Sequence, residues 1–149
     1  MKGLQKKDGA IYEEAVRLME MAQKARTFAY TPYSHFAVGA ALLCEDGSIV
    51  TGCNVENAAY SPGNCAERTA VFKAVSEGKR SFLAIAVVGA KEGLAPEGDT
   101  ICSPCGVCRQ VLREFCDVGT FRVYLTNGDQ VLCYTLEELL PLSFGPANL

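Results

Sequence analysis

The sequence predicts an α/β layered domain, and three observations carry that prediction. The N-terminal stretch sets apolar residues at helical spacing, later stretches are apolar runs of strand length, and helix and strand patterns alternate. At 149 residues, 49% of them hydrophobic, the chain is long enough for one domain, 1–149, with a substantial core. No repeat, linker or low-complexity segment interrupts the pattern.

The first helix is predicted from about Asp8 to Arg26, with Asp8 as its cap and Ile11, Ala15, Leu18, Ala22 and Ala25 as its buried stripe. Tyr30-Thr31-Pro32-Tyr33 ends it. A hairpin follows: strand Ala37 to Cys44, turn Glu45 to Ser48, strand Ile49 to Asn54. Pro62-Gly63-Asn64 precedes a second helix from Cys65 to Glu77, closed by Gly78. Phe82 to Val88 is apolar without alternation, as a central strand covered on both faces requires. Gly93 to Gly98, with Pro96, reads as a surface loop. Pro104 begins a third helix, Cys105 to Phe115. Short strands Phe121 to Leu125 and Val131 to Tyr134 flank the turn Asn127-Gly128-Asp129, and Thr135 caps a last short helix.

Charge and cysteine content restrict the function. A net charge of -3 argues against a nucleic-acid binder, which carries a basic patch. The basic cluster Lys2, Lys6 and Lys7 is short and reads as a solvated tail. The first residues lack the apolar stretch of a signal peptide, and no apolar run approaches the roughly 18 residues of a membrane span. The expected location is therefore the cytoplasm. Thiols stay reduced there, so the eight cysteines read as metal ligands and small core residues rather than disulfides. Cys44, Cys53, Cys116 and Cys133 fall in predicted element interiors and read as small buried hydrophobes.

Cys65-Ala66-Glu67 and Pro104-Cys105-Gly106-Val107-Cys108 hold the chemistry. Cys65, Cys105 and Cys108 supply three thiolates for one Zn²⁺, and three protein ligands leave a tetrahedral position open. Positions three apart share a helix face, so Cys105 and Cys108 can grip one ion. Helix N-termini lower thiol pKa values and favour thiolates. Glu67, two residues past a ligand, is free to move protons; this is the three-cysteine form of the zinc-deaminase pattern. Three thiolates and Zn²⁺ sum to one negative charge, which Arg68, one turn after Cys65, offsets by hydrogen bonding to sulfur. Arg109 is a weaker candidate for that role. Were Cys102 a fourth ligand, the site would be closed and structural, but it precedes Pro104 in an extended segment. His35, the lone histidine, is not assigned to zinc.

The chain resembles the cytidine deaminases of the small, homotetrameric, three-cysteine class over nearly its whole length. The resemblance rests on Tyr33-Ser34-His35-Phe36-Ala37-Val38-Gly39-Ala40-Ala41-Leu42, Gly52-Cys53-Asn54-Val55-Glu56-Asn57-Ala58, Cys65-Ala66-Glu67-Arg68-Thr69-Ala70, Pro104 to Gln110 and Leu139 to Pro146. It implies a three-layer α/β/α fold with a mixed, about five-stranded sheet, and hydrolysis of free cytidine and deoxycytidine in pyrimidine salvage. It implies one Zn²⁺ on Cys65, Cys105 and Cys108, with Glu67 as proton shuttle. Phe36 would pack against the nucleoside, and Asn54 and Glu56 would hydrogen-bond the ribose, chiefly its 3′-hydroxyl. The Ala66 backbone would hold the base, the Ser103 carbonyl would meet the leaving amino group, and Phe144 would enter a neighbouring subunit's site. The sequence departs from the family at Cys102, where an aliphatic residue is more usual, and in a lengthened Glu92 to Asp99 loop.

Two other readings use the same residues: a zinc deaminase of another substrate, such as blasticidin or a free base, and a non-enzymatic structural zinc module. A nucleotide substrate would need a basic phosphate-binding cluster, and none is clear. A polynucleotide or membrane partner is disfavoured by charge and hydropathy.

Overall fold

The computed structural model describes residues 1–96 and 101–149. Its centre is a mixed six-stranded sheet in the order β1-β6-β5-β4-β2-β3. The strands are β1 (Lys2–Gly3), β2 (Phe36–Cys44), β3 (Ile49–Cys53), β4 (Phe82–Lys91), β5 (Arg122–Thr126) and β6 (Val131–Thr135). Among these six strands β4 and β5 pair in parallel and the other described pairings are antiparallel. The five longer strands are those expected. The two-residue β1 is additional and pairs with the middle of β6 through Lys2 to Cys133 and Gly3 to Leu132.

The helices are α1 (Ala10–Arg26), α2 (Ala66–Ser76), α3 (Gly106–Phe115) and α4 (Leu136–Leu139). The sheet is covered on both faces, which gives the three-layer arrangement. On one face Ala15, Leu18 and Ala22 of α1 pack on Ala41, Ala84, Ala86, Val88 and Tyr124. On the other, Ala70, Val71 and Ala74 of α2 and Leu112 of α3 pack on Ala40, Leu42, Ile85 and Val87. Adjacent residues of β2 and β4 therefore serve opposite cores, and this explains why their sequences are apolar without alternation. Fully burying each leucine or isoleucine here contributes about 1.5–3 kcal/mol.

Several boundaries differ from expectation. Asp8 does not cap α1. It ends a separate 3-10 turn, Lys6–Asp8, in which its Oδ2 accepts from Gln5 N–H at 2.7 Å. Gly9, at φ 61°, redirects the chain into α1, and Ile11 in its first turn is 43% exposed, outside the buried stripe. Cys44 and Cys116 are buried as expected, but Cys53 and Cys133 are half-buried, because both lie near the sheet edges. Strand β3 stops at Cys53, and Asn54 turns its side chain onto β2. Phe121 is buried just ahead of β5. The predicted 93–98 loop is described as far as Pro96; 97–98 of that loop, and 97–99 of the lengthened segment, lie outside the described residues. Thr135 caps α4 as predicted, accepting from Glu138 N–H at 3.2 Å.

Candidate active site

Two helices end at one place. Cys65 and Cys105 occupy the N-cap positions of α2 and α3, both in extended conformation, and Cys108 lies in the first turn of α3. The Sγ atoms of Cys65 and Cys105 are 3.9 Å apart, and those of Cys105 and Cys108 are 3.6 Å apart. Tetrahedral zinc–sulfur bonds of about 2.3 Å would set sulfurs about 3.8 Å apart, so the spacing and the soft donors fit zinc. These three form the one cluster of metal-ligand type among the described residues, and Cys102 is not part of it. The Cys65 thiol is held down at about 5, first by hydrogen bonding with the Cys108 thiol and then by the Arg68 guanidinium.

Glu67, in the first turn of α2, is 4% exposed. Its burial pushes the carboxyl up to about 7, and the Cys65 sulfur adds to this. Arg68 Nη2 donates to Cys65 Sγ at 3.3 Å, as expected for a residue that offsets thiolate charge. Arg109 does something else. Its guanidinium donates to Pro104 O at 2.7 Å, Leu139 O at 2.6 Å and Ser103 Oγ at 3.3 Å, so it braces the loop entering α3 and touches no sulfur.

A cavity of about 470 Å³ opens beside Cys65 and Arg68, and Tyr33, Ser34, Asn54, Glu56 and Asn64 line its other walls. Asn54 and Glu56 thus share a cavity with a metal-ligand candidate. Asn54 Nδ2 donates to Phe36 O at 2.9 Å and its Oδ1 accepts from Val38 N–H at 2.8 Å. Glu56 accepts from Tyr33 and Ser34 N–H groups, both at 3.0 Å, and from the Ser34 hydroxyl. Its carboxyl stays below the ordinary carboxylate range, chiefly because of that hydroxyl.

The other expected substrate contacts lie outside the lining of this cavity. Phe36 is half-buried at the start of β2, where a Cβ on Gly89 would meet both its ring and the Cys102 thiol. Cys102 is therefore a wall residue packed on β4, and its burial pushes the thiol up to about 11. Ala66 is fully buried as the first residue of α2. Ser103 is exposed on the loop before α3, its Oγ accepting from Arg109. Phe144 is 60% exposed near the C-terminus, with its carbonyl accepting from Gln110 Nε2 at 3.0 Å. His35 stands 3.5 Å from Glu92, away from the sulfur cluster. Tyr33 and Ser34, which the sequence marks only as part of the family motif and without a role of their own, line the cavity together with Tyr60, and the two tyrosine rings approach to 6.1 Å. For Tyr33 and Ser34 the Pro32-Tyr33-Ser34 turn sequence is a further signal.

Comparison with known proteins agrees with this geometry. The cytidine and deoxycytidylate deaminase zinc-binding region matches residues 12–125. A cytidine deaminase of Sporosarcina psychrophila is 56% identical over 135 residues, covering 89% of this chain and 93% of the relative. The crystal structure of a cytidine deaminase from Burkholderia pseudomallei superposes with a TM-score of 0.76 at 48% identity, covering 87% of this chain and 98% of that one. A blasticidin-S deaminase of Bacillus cereus is more distant, at 31% identity over 90% of this chain and 94% of its own length. Sulfur spacing, buried glutamate and similarity over nearly the full length converge: the chain belongs to the cytidine deaminase family.

Proposed function

We propose that this chain hydrolyses free cytidine and deoxycytidine to uridine and deoxyuridine, releasing ammonia. The observation that carries the reading is the buried Glu67 two residues beyond Cys65, beside a three-sulfur cluster whose Cys65 lines a cavity together with Asn54, Glu56 and Arg68. Cys65, Cys105 and Cys108 would hold the zinc ion. When bound, zinc acts as a Lewis acid and lowers the pKa of water toward neutrality.

Glu67 takes a proton from the attacking water and gives it to N3 of cytosine, which makes C4 electrophilic. The water oxygen bonds to C4. Glu67 then carries the remaining hydroxyl proton to the exocyclic nitrogen, the C4–N bond breaks, and ammonia leaves. Burial of Glu67 keeps bulk water from competing for the proton in transit. The Ala66 backbone, at the start of α2, holds the base; the Ser103 carbonyl meets the departing amine; and Phe36 packs against the nucleoside. Asn54 and Glu56 bind the ribose. Both are held by β2 and the turn before it, and each keeps a hydrogen-bonding valence without a partner among the described residues. A hydroxyl needs one acceptor and one donor, and this pair offers both.

The exposed Phe144 supports a homotetramer in which each C-terminal segment completes a neighbour's site. The negative net charge supports free nucleosides rather than polynucleotides as substrates. Among the described residues no helix is long and apolar enough to cross a membrane. A single domain, cytoplasmic location and a salvage role complete the proposal.

The test is an ultraviolet assay of zinc-loaded protein with cytidine, deoxycytidine, CMP and blasticidin S in parallel, with ammonia measured. Turnover of the two nucleosides alone is expected. One zinc per chain without nucleoside turnover would move the assignment to another deaminase substrate.

A further inference from the structure

The turn leading into β2 contains an arrangement that the proposed reaction does not itself use. Glu56 Oε1 accepts from Tyr33 and Ser34 N–H groups, and Oε2 accepts from the Ser34 hydroxyl. The same Ser34 oxygen accepts from Phe36 N–H at 3.1 Å. One hydroxyl therefore joins the carboxylate to the first residue of β2. His35, between them in the chain, sits at φ 53°, a left-handed conformation that non-glycine residues seldom adopt. It is pinned from both sides: His35 N–H donates to Thr31 O at 3.0 Å, and His35 O accepts from Glu92 N–H at 2.7 Å. Such a conformation persists where its surroundings over-determine it. Here it brings Phe36 N–H back onto the Ser34 oxygen, so that hydroxyl is held on both its donor and its acceptor side.

An ionised carboxylate offers about four lone-pair sites. Tyr33 N, Ser34 N and Ser34 Oγ take three, which leaves one, on Oε2, in the cavity that Glu56 shares with Asn54. We infer that Ser34 is a positioning residue whose hydroxyl aims that last lone pair of Glu56 and so sets the enzyme's selectivity for a sugar bearing a 3′-hydroxyl. The inference deepens the proposed function and rests on its assignment of Glu56 to the ribose. Without the Ser34 hydroxyl the carboxylate is tied at Oε1 alone. Its terminal torsion, broad by nature, then no longer fixes Oε2.

The test measures kcat and KM for deoxycytidine and for 2′,3′-dideoxycytidine, which lacks the hydroxyl. Wild type, Ser34→Ala, Ser34→Thr and Glu56→Gln are compared at verified zinc content. In Ser34→Ala the selectivity for deoxycytidine over the dideoxy analogue falls about 10-fold, the scale of one hydrogen bond to a charged group. The loss falls on KM for deoxycytidine rather than on kcat. Ser34→Thr keeps a hydroxyl and regains most of the selectivity. A Ser34→Ala enzyme with wild-type selectivity, while Glu56→Gln loses it, overturns the role of Ser34 and leaves the ribose assignment standing. Equal losses on both substrates would mark Ser34 as a structural turn residue and also overturn the proposal. Wild-type selectivity in both variants overturns the Glu56 assignment and the proposal with it, as does a wild-type enzyme inactive on deoxycytidine.

Discussion

Arg68 Nη2 stands 3.3 Å from the Cys65 sulfur, within a single turn of α2. Three thiolates outweigh a divalent cation by one unit of charge, and an arginine on a sulfur returns that unit. Its Nε is buried without a partner among the described residues, so the side chain remains there with part of its hydrogen-bonding capacity unmet. Arg68→Gln is predicted to retain one zinc per chain and lose about 10- to 100-fold in kcat, the usual scale for a residue that tunes metal ligands. Metal analysis and the nucleoside assay on the same sample check it; an unchanged kcat would leave the charge argument without support.

Glu67 differs from the sulfur cluster in what its loss should do. It is buried beside the cysteines but supplies no atom to their cluster. Glu67→Gln preserves shape and removes the proton carrier. The variant is predicted to keep its zinc and its melting temperature within a few degrees and to lose at least 10²- to 10⁴-fold in kcat. Near-wild-type turnover would remove Glu67 from the mechanism.

Cysteine replacements separate an open site from a closed one. Cys102 lies against Gly89, as the Phe36 ring does, and is outside the three-sulfur cluster. Cys102→Ala is therefore predicted to bind one zinc per chain, whereas Cys65→Ala loses both metal and activity. Inductively coupled plasma measurement of zinc per chain reads this directly. Loss of zinc in Cys102→Ala would point to four ligands and a structural site.

These side chains were legible in the sequence because short-range geometry places them. A cysteine at a helix start and a CxxC at the next helix start need only the two helices to meet. The apolar run of β4 likewise announced two buried faces, and β2 beside it proves to serve both cores as well. The departures arose where distant contacts decide. Asp8 was available to cap a helix, but Gly9 breaks the chain first and Asp8 closes its own turn. Strand β1 has too few residues to show a pattern and exists because β6 offers an edge. The Ser34 contacts depend on a left-handed His35, which no propensity would suggest, and on Glu56, 22 residues away in sequence.

The C-terminal segment tests the proposed assembly. Arg113 Nε donates to Ser143 Oγ at 3.1 Å and Gln110 Nε2 donates to Phe144 O, so α3 holds this backbone while the Phe144 ring remains exposed. Truncation before Ser143 is predicted to keep zinc and to raise KM or lower kcat by about 10-fold or more, since a stacking aromatic contributes about 0.5–1.5 kcal/mol beyond its buried area. Phe144→Ala should reproduce most of that loss. Unchanged kinetic constants in both would remove the shared-site proposal.

Gly52 of β3 underlies the placement of α2. A Cβ there would come within 2.5 Å of both Ala66 O and Ala70 N, so the helix backbone rests directly on the strand. Gly52→Ala must push away the turns that follow Cys65 and contain Glu67. Overpacking of this kind costs about 1–3 kcal/mol, equivalent to a fall in Tm of roughly 2–10 °C for a chain of this size. Val50→Ala, in the same strand and the same core, is the control. It removes buried apolar volume and lowers Tm without driving α2 outward. At comparable loss of Tm, Gly52→Ala is predicted to lose roughly 10- to 100-fold in kcat, because displacements of about 1 Å in a catalytic group have that effect. Val50→Ala should retain most of its turnover. Equal kcat in the two variants would mean that the close approach of strand and helix serves stability alone and does not set the position of Glu67.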